Sequence, residues 1–179
     1  MLKDVEKILL DENVLANRIS ELGEEISKDY AGEEVMLVGI LKGASVFMSD
    51  LIRKISLPAY IDYMVVSSYG NSAETSGVVR IIKDLEDNIE GKNIIIVEDI
   101  IDTGLTLAYL SQNLLSRHPK SLKICTLLDK PARREIDINI DYKGFDVPDE
   151  FIIGYGIDYA EKYRNLPFIG ILKRSVYEK

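Results

Sequence analysis

The chain contains one cysteine, one histidine and no tryptophan. Cys125 alone cannot close an intrachain disulfide, and with His118 it falls short of any Cys/His zinc set, so a disulfide scaffold, structural zinc and a dithiol redox pair are excluded. Any metal falls to carboxylates. No apolar run reaches membrane-spanning length without a charge, and Met1 to Lys7 mixes charges instead of placing basic residues before an apolar stretch. No membrane partner and a cytoplasmic location are therefore expected. Basic residues are in deficit, with 22 Lys+Arg against 30 Asp+Glu and a formal charge of −8. That balance argues against nucleic acid as a partner, because such binding is chiefly a lysine and arginine effect.

What is present is an ordinary globular composition, 46% hydrophobic and 29% charged over 179 residues. No repeat, low-complexity tract or linker divides it, so one domain spanning 1–179 is expected. Val14, Leu15, Ile19, Leu22 and Ile26 recur at helical spacing, which predicts an amphipathic helix from Glu12 to Tyr30. Val35 to Ile40 reads as a strand, Leu41-Lys42-Gly43 as a turn, and Phe47, Leu51 and Ile52 as the pattern of a second helix. Ala59 to Ser67 and Val78 to Ile82 read as strands around a long polar loop, Ser68 to Val78. Ile94-Ile95-Ile96-Val97 is apolar on both faces, as a central parallel strand is. A helix through Leu105, Leu107, Leu110, Leu114 and Leu115 follows, then a strand from Leu122 to Leu128. Phe151 to Ile153 is strand-like, Tyr159 to Tyr163 reads as a charged, helix-like turn, and Phe168 to Leu172 as a last strand. Strands alternating with helices give an α/β fold with a central parallel sheet flanked by helices.

In such a sheet, ligands sit beyond the carboxyl ends of the strands. There the buried strand meets Glu98-Asp99 and then Asp102-Thr103-Gly104-Leu105-Thr106, where a helix begins. Adjacent carboxylates suit a polyol or a metal ion. Amides at a helix start, with two hydroxyls, suit an anion. Taken singly, Asp102 is equally well a helix cap, and Glu98 and Asp99 a solvated strand end. Diol and phosphate side by side describe ribose 5-phosphate better than a nucleoside triphosphate, for the lysine-bearing P-loop is absent.

The run Val97 to Thr106 resembles the phosphoribosyl-pyrophosphate signature of the purine-salvage phosphoribosyltransferases, type I family, and most closely their 6-oxopurine branch. Leu41-Lys42-Gly43, Ser68-Tyr69, Leu127-Leu128-Asp129-Lys130 and Val147 to Leu166 stand in the family's order. The resemblance implies that fold, with a small hood built from chain-end segments. It also implies transfer of phosphoribose to N9 of hypoxanthine and guanine, giving IMP or GMP and pyrophosphate.

By the same resemblance, Glu98 and Asp99 hold the ribose hydroxyls, and Asp102 lies near N7 of the purine as general base or acid. Thr103, Gly104, Leu105 and Thr106 wrap the 5-phosphate. Leu41, Lys42, Gly43 and Arg164 meet pyrophosphate, and in relatives the first peptide of that loop can be cis. Lys130 donates to O6 of the base. Phe151 stacks on the purine, Ile152 offers backbone groups to its edge, and Asp158 lies close by. Ser68 and Tyr69 belong to a closing lid. Mg2+ is implied, on Glu98, Asp99 and Asp158. Phosphoribosyl pyrophosphate and a 6-oxopurine are the expected substrates, and a homo-oligomer, dimer or tetramer, the expected assembly.

Without the resemblance, Lys42 and Lys130 read as surface lysines, Phe151 as core, and the charges of Asp158 to Arg164 as a solvated face. A xanthine- or guanine-preferring transferase, a nucleotide-sensing regulator on the same fold, and a carboxylate-metal phosphohydrolase are the other readings.

Overall fold

The solid apolar runs in the middle of the chain form the centre of a six-stranded sheet. The computed structural model describes residues 1–68 and 79–178, so Tyr69 of the expected lid lies outside the described residues. In chain order come β1 (Val5–Leu10), α1 (Glu12–Asp29), β2 (Val35–Leu41), α2 (Ser45–Ile52), β3 (Ala59–Ser68) and β4 (Val79–Lys83). β5 (Asn93–Ile101), α3 (Leu105–Leu115), β6 (Ser121–Asp129), β7 (Tyr142–Asp146), β8 (Ile152–Ile153), β9 (Ile169–Leu172) and α4 (Arg174–Tyr177) complete it.

The main sheet runs β4-β3-β2-β5-β6-β7, with parallel pairing everywhere except the antiparallel edge strand β4. Successive residues of β5 point to opposite faces. Ile95 and Val97 join α1 and α2 in one apolar cluster with Leu22, Phe47 and Leu51, while Ile94 and Ile96 join α3 in a second with Leu107 and Leu110. Burial on both faces is why that strand carries no polar alternation. Helix α1 starts where expected, because the Asp11 side chain accepts from the Val14 N–H at 2.9 Å.

A second sheet, β1-β9-β8, is antiparallel and draws on both chain ends; it is the hood. Among the described residues, no helix is long and apolar enough to cross a membrane.

Three expectations need correction. β5 does not end at Val97 but runs to Ile101, since β6 continues to pair with it through Glu98, Ile100 and Ile101. Tyr159 to Tyr163 is not helix-like, because Ala160, Glu161 and Tyr163 take positive φ and a single bridge joins Tyr159 to Lys162. The Asp158 carboxylate closes this turn by accepting from the Glu161 N–H at 2.8 Å. Strands β1 and β7, read as neither helix nor strand, are strands.

Candidate active site

Strands β2, β5 and β6 deliver their carboxyl ends to one rim of the sheet, and two glycines let the segments there close on one another. A Cβ on Gly43 would lie 1.8 Å from Asp99 Oδ2, so the turn after β2 rests directly on the β5 carboxylates. A Cβ on Gly156, whose φ is 99°, would lie 2.3 Å from the Gly43 carbonyl oxygen. Leu41-Lys42-Gly43, Glu98-Asp99 and the segment from Gly154 to Arg164 are thereby stacked in one place. The Leu41–Lys42 peptide is cis.

Glu98 and Asp99 keep some accessible surface, yet Glu98 Oε2 is enclosed and among the described residues finds no hydrogen-bond partner. Burial, then the neighbouring Asp99 charge, raises the Glu98 carboxyl well above its ordinary value. Burial also pushes Asp99 up to about 6, against the Ile100 N–H and the Arg164 charge, which pull it down. Mg2+ characteristically takes one or two carboxylates and completes its shell with water and substrate phosphates. Glu98 and Asp99 fit that donor set, whereas Asp158 Oδ1 is held by Arg164 at 2.7 Å. Among the described residues no three His, Cys, Asp or Glu side chains are grouped closely enough to hold a metal ion by themselves.

Past β5 the chain turns through Gly104, whose φ of 86° a side chain would rarely adopt, into α3. Among the described residues the amides of Thr103, Gly104 and Thr106 have no acceptor, and that of Leu105 meets only Thr103 Oγ1 at 3.4 Å. With Glu98 and Asp102, residues Thr103, Gly104 and Thr106 line a small pocket of about 130 Å³.

A larger cavity of about 510 Å³ adjoins it, lined by Asp102, Lys130, Phe151, Ile152 and Asp158. Ile100 and Asp102 belong to both walls. Lys130 is buried, and its Nζ donates to the Glu150 carbonyl at 2.7 Å. Desolvation lowers its pKa, though Asp102 and Asp149 favour the ammonium. Phe151 packs edge-on to Tyr159, 5.1 Å between centroids, and 4.9 Å from Tyr177 at 31°. It is half-buried and walls the cavity, where the residue type alone suggested core.

Lys42 and Arg164 both reach Glu161, at 3.0 and 3.5 Å. Arg164 also donates to the Gly156 carbonyl at 2.7 Å, and its enclosed Nε has no acceptor among the described residues. The structure thus brings Lys42, Gly43, Glu98, Asp99, Asp102, Lys130, Phe151, Asp158 and Arg164 to this end of the sheet, and Ser68 ends β3, which runs parallel to β2 toward the same end.

Arg133, Arg134 and Glu161 were not marked by any motif. Arg133 Nε lies 2.9 Å from Asp102 Oδ1 without hydrogen-bond alignment, leaving that enclosed oxygen without a hydrogen-bonded partner among the described residues. Only the cluster of basic residues after Lys130 hinted at this. A cavity of comparable size, about 500 Å³, lies at the opposite, amino ends of β2 and β5. Its polar groups are already engaged, Asn93 and Lys120 both with Glu33 at 2.6 Å, so it offers little unpaired chemistry.

Residues 6–160 match the phosphoribosyl transferase domain family. The chain is 53% identical over 178 residues to the hypoxanthine-guanine phosphoribosyltransferase of Bacillus subtilis, with 99% of each covered. It is 50% identical over 179 residues to the bifunctional protein TilS/HprT of Listeria monocytogenes, of which it spans 28%. A crystal structure of a hypoxanthine phosphoribosyltransferase from Staphylococcus aureus superposes with a TM-score of 0.97 at 51% identity, covering 100% of this chain and 97% of that one.

Proposed function

The chain belongs to the phosphoribosyl transferase family, and we propose that its reaction takes place across the two adjoining pockets that share Asp102. It is a purine-salvage enzyme that moves the phosphoribosyl group of 5-phosphoribosyl 1-pyrophosphate to N9 of hypoxanthine or guanine. IMP or GMP and pyrophosphate are the products.

The common wall carries the residue assignment. A carboxylate between a phosphate-sized pocket and a purine-sized cavity is placed to touch the base where the base meets the sugar. Glu98 and Asp99 accept from the ribose hydroxyls, while the free amides of Thr103, Gly104 and Thr106 take the 5-phosphate. Leu105 and the Thr103 and Thr106 hydroxyls complete that cradle. Lys130 donates to O6; an ammonium has only donors, so it favours 6-oxopurines over adenine. Phe151 stacks on the ring, and the Ile152 backbone meets its edge beside Asp158.

The bond from C1′ to the pyrophosphate oxygen breaks with its electron pair leaving on pyrophosphate, and the N9 lone pair forms the new bond to C1′. Asp102 takes the N7 proton that the base then sheds. Lys42 and Arg164, with the Gly43 turn, hold the departing charge. Mg2+ on Glu98 and Asp99, with Asp158 nearby, would neutralise further negative charge when bound. Ser68 and Tyr69 are proposed to close over the site and exclude water.

We also propose that residues 1–179 act as one cytoplasmic domain in a homo-oligomer, without nucleic-acid or membrane partners; sedimentation and cell fractionation test this. Nothing among the described residues favours the regulatory or phosphohydrolase readings. The deciding assay supplies phosphoribosyl pyrophosphate, Mg2+ and one base at a time. Nucleotide should form from hypoxanthine and guanine and not from adenine; equal use of adenine would remove Lys130 from its role.

A further inference from the structure

We propose that Arg134 is the positioning residue for Asp102, locking the turn that carries this carboxylate onto the tip of β6. The inference rests on the reading of Asp102 as the group that handles the N7 proton.

Arg134 follows the single 3-10 turn Pro131–Arg133 beyond Lys130, and its side chain is only 16% exposed. Its guanidinium spans two elements. Nη2 pairs with the buried Asp129 carboxylate at the end of β6, and Nε donates to the Asp102 carbonyl oxygen at 3.1 Å. The segment around it grips the same turn through the backbone. Lys130 N–H donates to the Ile101 carbonyl at 2.9 Å, and the Glu135 and Ile136 N–H groups donate to the Thr103 carbonyl at 3.0 and 3.2 Å. The carbonyls on both sides of Asp102 are thus held by backbone, and its own carbonyl is held only by Arg134 among the described residues.

Packing adds a stop. A Cβ placed on Gly104 would stand 3.1 Å from Arg134 Cδ and 3.0 Å from Ile138 Cδ1, so Arg134 and Ile138 close directly over the turn. The fork also explains why arginine stands here. Two donors at fixed spacing reach a carboxylate and a carbonyl together, whereas a lysine presents one charged point and serves only one of them well. Lys143, 3.6 Å from the other Asp129 oxygen, keeps that carboxylate partly neutralised when Arg134 is replaced. Arg134 touches no reacting atom in this scheme. It fixes the backbone from which Asp102 projects, and through Asp129 ties that backbone to the strand whose next residue is Lys130.

The test is a kinetic double-mutant cycle on the full chain, measuring nucleotide formation from hypoxanthine with Mg2+. Arg134→Lys keeps the charge facing Asp129 and loses the grip on Asp102. A displacement of about 1 Å costs on the order of 100-fold, so kcat should fall about 10- to 100-fold while the KM for phosphoribosyl pyrophosphate changes little. In an Asp102→Asn background the same replacement should cost nothing further, because the group it positions is gone. Asp129→Asn with Arg134→Gln removes both buried charges together and should show the same kcat pattern, which guards against a folding defect of the first variant. Near-normal kcat in Arg134→Lys, or an undiminished loss in the Asp102→Asn background, overturns the proposal. Near-normal kcat in Asp102→Asn alone would instead overturn the proton role on which it rests, so the two failures are told apart.

Discussion

Lys42 and Glu161 lie 119 residues apart in the chain and meet at the site rim, Nζ 3.0 Å from Oε2. The same carboxylate leans on Arg164 at 3.5 Å through its other oxygen. An internal anion therefore occupies the two cations proposed to receive pyrophosphate, and bound pyrophosphate has to displace it. Glu161→Gln should lower the KM for phosphoribosyl pyrophosphate and the inhibition constant of pyrophosphate by about two- to fivefold, the range of an exposed ion pair. The gain should shrink at high salt. Steady-state kinetics at two ionic strengths checks both, and a raised KM would mean that Glu161 supports the cations instead of competing for them.

Asp102 stands on the wall shared by both pockets, and its enclosed Oδ1 accepts no hydrogen bond from the described residues. Replacing it by Asn keeps shape and removes the proton acceptor. Turnover should drop by about 10²–10⁴-fold, and thermal unfolding should shift little, since the carboxylate's one ion pair among the described residues, with Arg133 at 2.9 Å, is solvent-exposed and contributes little. Turnover within a few-fold of the parent would eliminate Asp102 as the group that takes the N7 proton.

How far the sequence leads depends on whether a residue's partners are near it in the chain. Ile94 to Val97 reads as a central strand because burial on both faces demands an unbroken apolar run. Glu98 to Ile101 continue that strand, yet two carboxylates that serve a ligand mask the pattern, so its last turn of pairing is invisible without β6. Tyr142 to Asp146 escapes for a similar reason: Lys143, Gly144 and Asp146 dilute the alternation, and β6 alone makes it a strand. The carboxylate pair and the Asp102 turn are legible because they are contiguous and sit at a strand end. Arg134 and Glu161 are not, since what defines them is a carbonyl 32 residues away and a lysine 119 residues away. Gly43 and Gly156 look like ordinary turn glycines until the fold stacks one on the other.

Lys130 offers a direct test of base selection. Its buried ammonium spends one donor on the Glu150 carbonyl and keeps others for O6 of a bound base. A hydrogen bond involving a charged group contributes about 1.5–3 kcal/mol, which is roughly 10- to 100-fold in kcat/KM. Lys130→Ala should lose about that much with hypoxanthine and guanine, and the discrimination against adenine should narrow by the same factor. If the replacement weakens all three bases equally, Lys130 supports the cavity without reading the 6-position.

Asp62 provides a pH test away from the site. It is buried near the start of β3 and accepts from the Tyr63 and Glu86 N–H groups, both at 2.7 Å, and from Lys83 Nζ at 3.2 Å. Burial alone would raise its pKa, but the two backbone donors and the Lys83 ammonium outweigh burial and hold it below its ordinary 3.8. A carboxyl whose folded pKa is depressed stabilises the fold above its unfolded pKa and loses that contribution as pH falls through the folded value. Asp62→Asn should therefore cost about 1–3 kcal/mol at pH 7, with β4 released from one anchor. In urea denaturation, the gap between parent and variant should be constant from about pH 7 to 5 and close as pH drops below about 4. A gap that does not narrow at all as pH falls below about 4 would assign Asp62 a shape role in packing, with its charge contributing nothing.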